Sequence, residues 1–206
     1  FLEEVVFMRE KLKFYGKGCI GVGKHSLSTS NRARNLWGGL LKRCFCNKYH
    51  KTKPTYKGIT VCSEWLDFQN FAEWCETQEF FNAKDDKGKS YQLDKDVLIK
   101  GSKIYSPETC SFIPSQINSL FSYVKSTKGA YPTGVSYMKN RGKFEAYFSK
   151  RGKRVNLGHF RTPEEAIIAY KKAKETHIKE MAKEWKGRVD ERAYQALLNY
   201  EVHIDD

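Results

Sequence analysis

The 206-residue chain has no run of eighteen or more apolar residues, which excludes a hydrophobic membrane-spanning helix. Its amino terminus carries neither a secretory apolar stretch nor an Arg/Ser-rich transit pattern, so a cytoplasmic, non-membrane protein is expected. Histidine is scarce: there are 5, and none lies between His50 and His159, which denies the middle of the chain the commonest general base. The six cysteines (Cys19, Cys44, Cys46, Cys62, Cys75, Cys110) form no C-x-x-C pair and are expected to be reduced. Cys44, Cys46, Cys62 and Cys110 supply the four soft ligands of a tetrahedral structural zinc, yet their spacing is irregular and packing as small apolar groups is the favoured reading. Acidic side chains are also in short supply, 24 against 37 Lys and Arg, for a net charge of +13.

What is present begins with that charge. A strongly positive chain attracts polyanions through its long-range field and through release of their counterions. Residues 122–162 hold ten cations (Lys125, Lys128, Lys139, Arg141, Lys143, Lys150, Arg151, Lys153, Arg154, Arg161) against one acid, Glu145, and so carry +9 of the +13. Inert surfaces intersperse the two signs; this segment does not. The 40% apolar and 14% aromatic content is enough for folded cores.

Along the chain, residues 1–29 read as a lead-in. Its Gly16, Gly18, Gly21 and Gly23 depart from G-x-x-x-x-G-K-[ST], and no apolar strand leads into them, so a phosphate cradle is not expected. Ala33, Leu36, Trp37, Leu40, Leu41 and Cys44 recur at three- and four-residue intervals and predict an amphipathic helix over 30–44. Residues 59–62 predict a short strand, and Asp67 a cap for a helix burying Phe68, Phe71, Ala72 and Cys75, with Trp65 and Trp74 as core. A loop over 82–90, an alternating strand over 91–97, a turn at Gly101, a strand over 110–113 and a helix opened by Pro114-Ser115 follow.

Beyond a join at 126–130, three segments alternate apolar and polar residues: Val135 and Tyr137; Phe144, Ala146 and Phe148; Val155 and Leu157. With turns at Asn140-Arg141-Gly142 and Arg151-Gly152, they predict an antiparallel meander with one apolar face. Thr162, Pro163 and Glu165 form a helix start whose stripe, Ala166, Ala169, Tyr170, Ala173, His177 and Met181, would pack on that face. His159 and His177 read as structural rather than as metal ligands. A last helix, about 190–200, would pack back through Val189, Ala193, Leu197 and Leu198.

Residues 134–170 contain, in order, Gly134-Val135, Gly142-Lys143-Phe144 with Ala146, Leu157-Gly158 with Phe160, and Thr162, Glu164-Glu165-Ala166, Ala169-Tyr170. This pattern resembles the Apetala-two DNA-binding domain of plant ethylene-response factors, which also occurs in phage and mobile-element endonucleases. The resemblance implies a sheet lying in the DNA major groove, with roles for Ser136, Met138, Arg141, Lys143, Tyr147, Ser149, Arg154 and Asn156. The pleat independently sets this face opposite Val135, Phe144, Ala146, Phe148, Val155 and Leu157. Ser136, Met138, Ser149 and Asn156 stand where plant members have Arg or Trp, so no target sequence carries over. Lys150, Arg151 and Lys153 extend the expected contact set as phosphate partners.

The front half, Trp37 to Phe121, is similar to phage HNH and homing-endonuclease-like proteins through Arg43-Cys44, Pro54-Thr55-Tyr56-Lys57-Gly58, Val61-Cys62-Ser63-Glu64-Trp65, Leu93-Asp94-Lys95-Asp96, Tyr105-Ser106-Pro107-Glu108-Thr109-Cys110, Gln116 and Asn118. That resemblance implies one divalent cation, magnesium or manganese, with Asp94 and Asn118 near the ligand positions and Asp94, Lys95 and Asp96 as catalytic candidates. Lys95 stands where such proteins carry a base histidine. A lysine, with its reference pKa of about 10.4, is protonated at neutral pH and takes no proton from water.

The sequence therefore predicts an α+β protein: a lead-in (1–29), an HNH-like strand-loop-strand-helix unit with preceding helices (30–125), an Apetala-two-like three-stranded sheet on one helix (131–188), and a C-terminal helix and tail (189–206). The expected function is binding of double-stranded DNA, with metal-dependent endonuclease activity implied by the front-half resemblance. A non-catalytic DNA-binding regulator or accessory protein, and an RNA- or ribosome-binding factor, are the alternatives.

Overall fold

The computed structural model describes residues 13–121 and 131–203. The join expected at 126–130, with Lys125 and Lys128, lies outside them. The chain is α+β and divides after Pro114 into two compact units, so the helix opened by Ser115 belongs to the second rather than to the front half. No helix among the described residues is long and apolar enough to cross a membrane.

In the first unit, α1 (Asn31–Phe45) buries the expected stripe: Ala33, Trp37, Leu40, Leu41 and Cys44. A short helix that the sequence reading lacked, α2 (Asn47–Thr52), follows. Asp67 caps α3 (Phe68–Thr77), its carboxylate accepting from the Gln69 N–H at 2.8 Å. Trp37, Trp65, Phe68, Phe71 and Phe112 are essentially fully buried, each contributing about 1.5–3 kcal/mol of burial free energy, and the Trp37 indole N–H donates to the Trp65 carbonyl at 2.7 Å. The Gln69 amide, buried, donates to the Ile20 and His25 carbonyls at 2.9 Å each. Gly21, at φ +67°, lies against Asp67 so closely that a Cβ would collide with it. The glycine-rich lead-in is thus a close-packed backbone crossing over α3.

The strands of this unit are short. β1 (Thr60–Val61) pairs in parallel with β3 (Ile104–Tyr105), and β2 (Gln92–Asp94) pairs antiparallel with β4 (Ser111–Ile113). The strand expected over 91–97 stops at Asp94, because the Asp94 Oδ1 accepts the N–H groups of Asp96 and Val97, at 2.9 and 2.7 Å, and folds the chain into a turn.

The second unit opens with α4 (Ser115–Phe121) and is built on the meander β5 (Val135–Met138), β6 (Lys143–Lys150) and β7 (Lys153–Phe160), in that order, packed on α5 (Pro163–Glu184). Val135, Ala146 and Ala166 form the buried centre, with Tyr131, Phe144, Leu157, Phe160, Ile167 and Ala169 around it. Thr162 caps α5 by accepting from the Glu165 N–H at 3.2 Å, and the Glu165 carboxylate accepts from the Arg161 N–H at 3.0 Å. α6 (Glu191–Leu198), capped by Asp190, returns against α5 through Ala193 and Leu197.

Candidate nucleic-acid interface

Register fixes which side chains share the exposed face of the sheet. Ser136 pairs with Glu145, Met138 with Lys143, Tyr147 with Asn156, and Ser149 with Arg154, so these eight lie on the face away from α5. Between Ala146 and Tyr147 the register slips: Ala146 faces Gly158 and Tyr147 faces Asn156, leaving Leu157 as a bulge residue. The bulge resets the pleat, so Val155 and Phe160, an odd number of residues apart, both point toward the helix. Gly134, at φ +80°, immediately precedes β5, where a Cβ would land in the Tyr170 ring and on the Tyr147 carbonyl. It lets the entry to the sheet lie flush on the helix.

At the middle of the exposed face is an ordered polar cluster. The Arg154 guanidinium lies 3.5 Å above the centre of the Tyr147 ring, and its Nη2 donates to the Glu145 Oε2 at 2.8 Å. The Asn156 Nδ2 donates to the Glu145 Oε1 at 2.7 Å, while the Asn156 Oδ1 accepts from the Gly158 N–H in the bulge, also at 2.7 Å. Sequence reasoning entered Glu145 only as the single acid in a basic segment. Its place opposite Ser136 and two residues from Tyr147 in the pleat was the available signal.

Lys139, Arg141, Lys143 and Lys153 are exposed and make no ion pair among the described residues. Two other expected contacts sit differently. Lys150 pairs across β6–β7 with Lys153, in phase with Phe148 and Val155 and hence on the α5 side, where its Nζ donates to the Glu180 Oε2 at 2.8 Å. Arg151, in the turn, pairs with Glu184. The Lys150 ammonium holds the Glu180 carboxyl below the usual carboxylate range. These two cations are thus partly neutralised by the helix beneath, which a pattern of alternating residues does not reveal.

No family model, curated protein or solved structure matches this chain. The likeness to the Apetala-two and HNH patterns rests on the residues named above.

In the first unit, the three catalytic candidates occupy the turn after β2. The Lys95 ammonium, buried to 7% exposure, donates to the Asp96 Oδ1 at 2.7 Å. Burial, and then the neighbouring Asp96 charge, push the Asp94 carboxyl above its ordinary range. Asn118, the second expected metal ligand, lies on α4 in the other unit. These residues do not fit a divalent cation as they stand: the Asp94 Oδ1 serves two backbone N–H groups, and a buried ammonium already supplies positive charge beside the carboxylates. Among the described residues, no three His, Cys, Asp or Glu side chains gather as a metal-holding group. Burial raises the thiols of Cys44 and Cys62 to about 11 and that of Cys110 to about 12, so without a metal they are held in the protonated form.

Proposed function

We propose that this protein binds double-stranded DNA through the exposed face of the β5–β7 sheet. The observation that carries the reading is the Arg154–Tyr147–Glu145–Asn156 cluster, a guanidinium held flat and pre-positioned at the centre of a face rimmed by exposed cations. A two- or three-stranded ribbon fits the major groove, where arginine pairs with the guanine O6 and N7. The rim cations Lys139, Arg141 and Lys143 suit phosphates, which set register without reading sequence, whereas Lys153, paired with Lys150, lies on the α5 side. Ser136, Met138, Ser149 and Asn156 complete the face with small or neutral groups that reach base edges without adding charge.

The endonuclease activity implied by the front-half resemblance has no comparable support, since Asp94 caps a turn and Lys95 neutralises Asp96. The deciding experiment is competition for the full chain between a labelled duplex and unlabelled duplex DNA or double-stranded RNA of the same sequence. Displacement by DNA well ahead of RNA supports the proposal; equal or stronger displacement by RNA transfers the face to the A-form helix, whose narrow major groove side chains do not read.

A further inference from the structure

We propose that Glu145 is a specificity-determining residue of the sheet: with Arg154 it presents a donor–acceptor pair that selects a G·C base pair in the major groove. This rests on the reading of the sheet as a duplex-binding face.

Glu145 is the one acid of the segment, and it sits at the centre of the face rather than at its rim. Its side chain is only 15% exposed, against 56% for Arg154, so it lies low between neighbours that stand above it. A carboxylate in such a place would repel phosphates, and a surface that only tracked the DNA backbone would gain by its removal. Arg154 and Asn156 hold it in the free protein, and in a complex its position is favourable where base edges, not phosphates, meet it. In the major groove, N7, O6 and O4 are acceptors that repel a carboxylate; the donors are the amino groups of cytosine and adenine, and the cytosine N4 is the one that Glu and Asp side chains accept from.

Arg154 narrows the choice. Its Nη2 donates to the Glu145 Oε2 and its guanidinium lies 3.5 Å from the centre of the Tyr147 ring, so the group is anchored at two points and keeps further N–H donors for a base. Donors from Arg154 followed by an acceptor from Glu145 match the edge of a G·C pair, which shows guanine N7 and O6 as acceptors and then cytosine N4 as donor. The Glu145 Oε1 is in turn held by Asn156, which the bulge N–H of Gly158 pins from behind. The acceptor is therefore set before DNA arrives, and each carboxylate oxygen keeps a lone pair for the base.

The test uses the full chain. A preferred duplex is selected from a random pool, each of its base pairs is then replaced in turn, and binding is compared for wild type, Glu145→Ala, Glu145→Gln and Arg154→Ala at one salt concentration. Wild type should lose about 5- to 150-fold at one G·C pair when it is changed to A·T, the range expected for one good base contact. Glu145→Ala should lose that discrimination while binding a random duplex at least as tightly as wild type, and Glu145→Gln should move the preference at that pair toward adenine, the base that Gln pairs with. If both Glu145 variants keep wild-type discrimination at every position while Arg154→Ala relaxes it, Glu145 is not a specificity residue but the binding face stands. Equal binding of all duplexes by wild type also overturns the proposal for Glu145. If the sheet variants, including the rim cations, leave duplex binding unchanged, or wild type binds no duplex, the face itself is wrong and the proposal falls with it.

Discussion

The salt dependence of duplex binding is set by how many cations of the sheet are available to phosphate. Lys139, Arg141, Lys143 and Lys153 make no ion pair among the described residues, whereas Lys150, Arg151 and Arg154 are engaged by Glu180, Glu184 and Glu145. Each phosphate neutralised contributes about 0.9 to the negative slope of log Kobs against log salt, so Lys139, Arg141 and Lys143, the three of these that do not share the α5 side with Lys150, account for a slope of about −2.7. Replacing Lys139, Arg141 and Lys143 together by Ala should remove about 2.7 of it. Lys150→Ala should change the slope by less than one phosphate's share, because DNA must first compete with Glu180 for that ammonium. Such surface ion pairs are weak, typically about 0–1 kcal/mol, so the competition reduces the contribution of Lys150 without abolishing it. Fluorescence anisotropy of a labelled duplex, titrated from about 50 to about 200 mM salt, reads the slope directly. An unchanged slope in the triple variant would refute the assignment of the β5–β6 edge to phosphate, and a larger loss from Lys150→Ala than from the triple variant would reverse the assignment of free and paired cations.

Three further outcomes are expected. Gly134→Ala should destabilise the second unit by about 2–4 kcal/mol, from positive φ and from collision with Tyr170, measured by denaturant unfolding; a change near zero would mean that β5 enters the sheet differently. Asp94 has its folded-state pKa raised above the ordinary 3.8, mainly by burial, so its contribution to stability is full below that value and declines as pH rises through the folded value. Asp94→Asn, which keeps the Oδ1 acceptor for Asp96 and Val97, should therefore gain stability relative to wild type as pH is raised above 3.8, and a Tm difference flat with pH would contradict this. Finally, supercoiled plasmid incubated with the full chain and magnesium or manganese should remain supercoiled; nicking that disappears in Asp94→Ala would place a catalytic centre on the β2 turn after all.

The parts of the fold that were legible in the sequence are those carried by local chemistry. Asp67 and Thr162 announce their helices by the side-chain oxygen, carboxylate and hydroxyl respectively, that each offers to an N–H two or three residues on, and both do so in the structure. The alternation of Phe144, Ala146 and Phe148 against Glu145, Tyr147 and Ser149 fixes the two faces of β6 with no tertiary information. What stayed hidden depends on partners distant in the chain. Ile104–Tyr105 is too short to show a period, and becomes a strand only through parallel pairing with Thr60–Val61. Residues 95–97 continue the alternation of β2, yet the Asp94 side chain outcompetes the ladder for their N–H groups. The Leu157 bulge keeps Phe160 in the core although strict alternation counted from Val155 would turn it out. The sheet's cations were all visible as letters, but which of them Glu180, Glu184 and Glu145 had already engaged was not.

The outward face of the β5–β7 sheet is the surface proposed to receive duplex DNA. Backbone and side-chain NMR of the labelled chain, titrated with a short selected duplex, tests it most directly. The expected result is that shifts and broadening concentrate on Ser136, Met138, Lys143, Glu145, Tyr147, Ser149, Arg154 and Asn156, with the Arg154 guanidinium and Asn156 amide signals among the most displaced. Shifts concentrated instead on α3 or on the exposed side of α5, with these eight residues unmoved, would contradict the account.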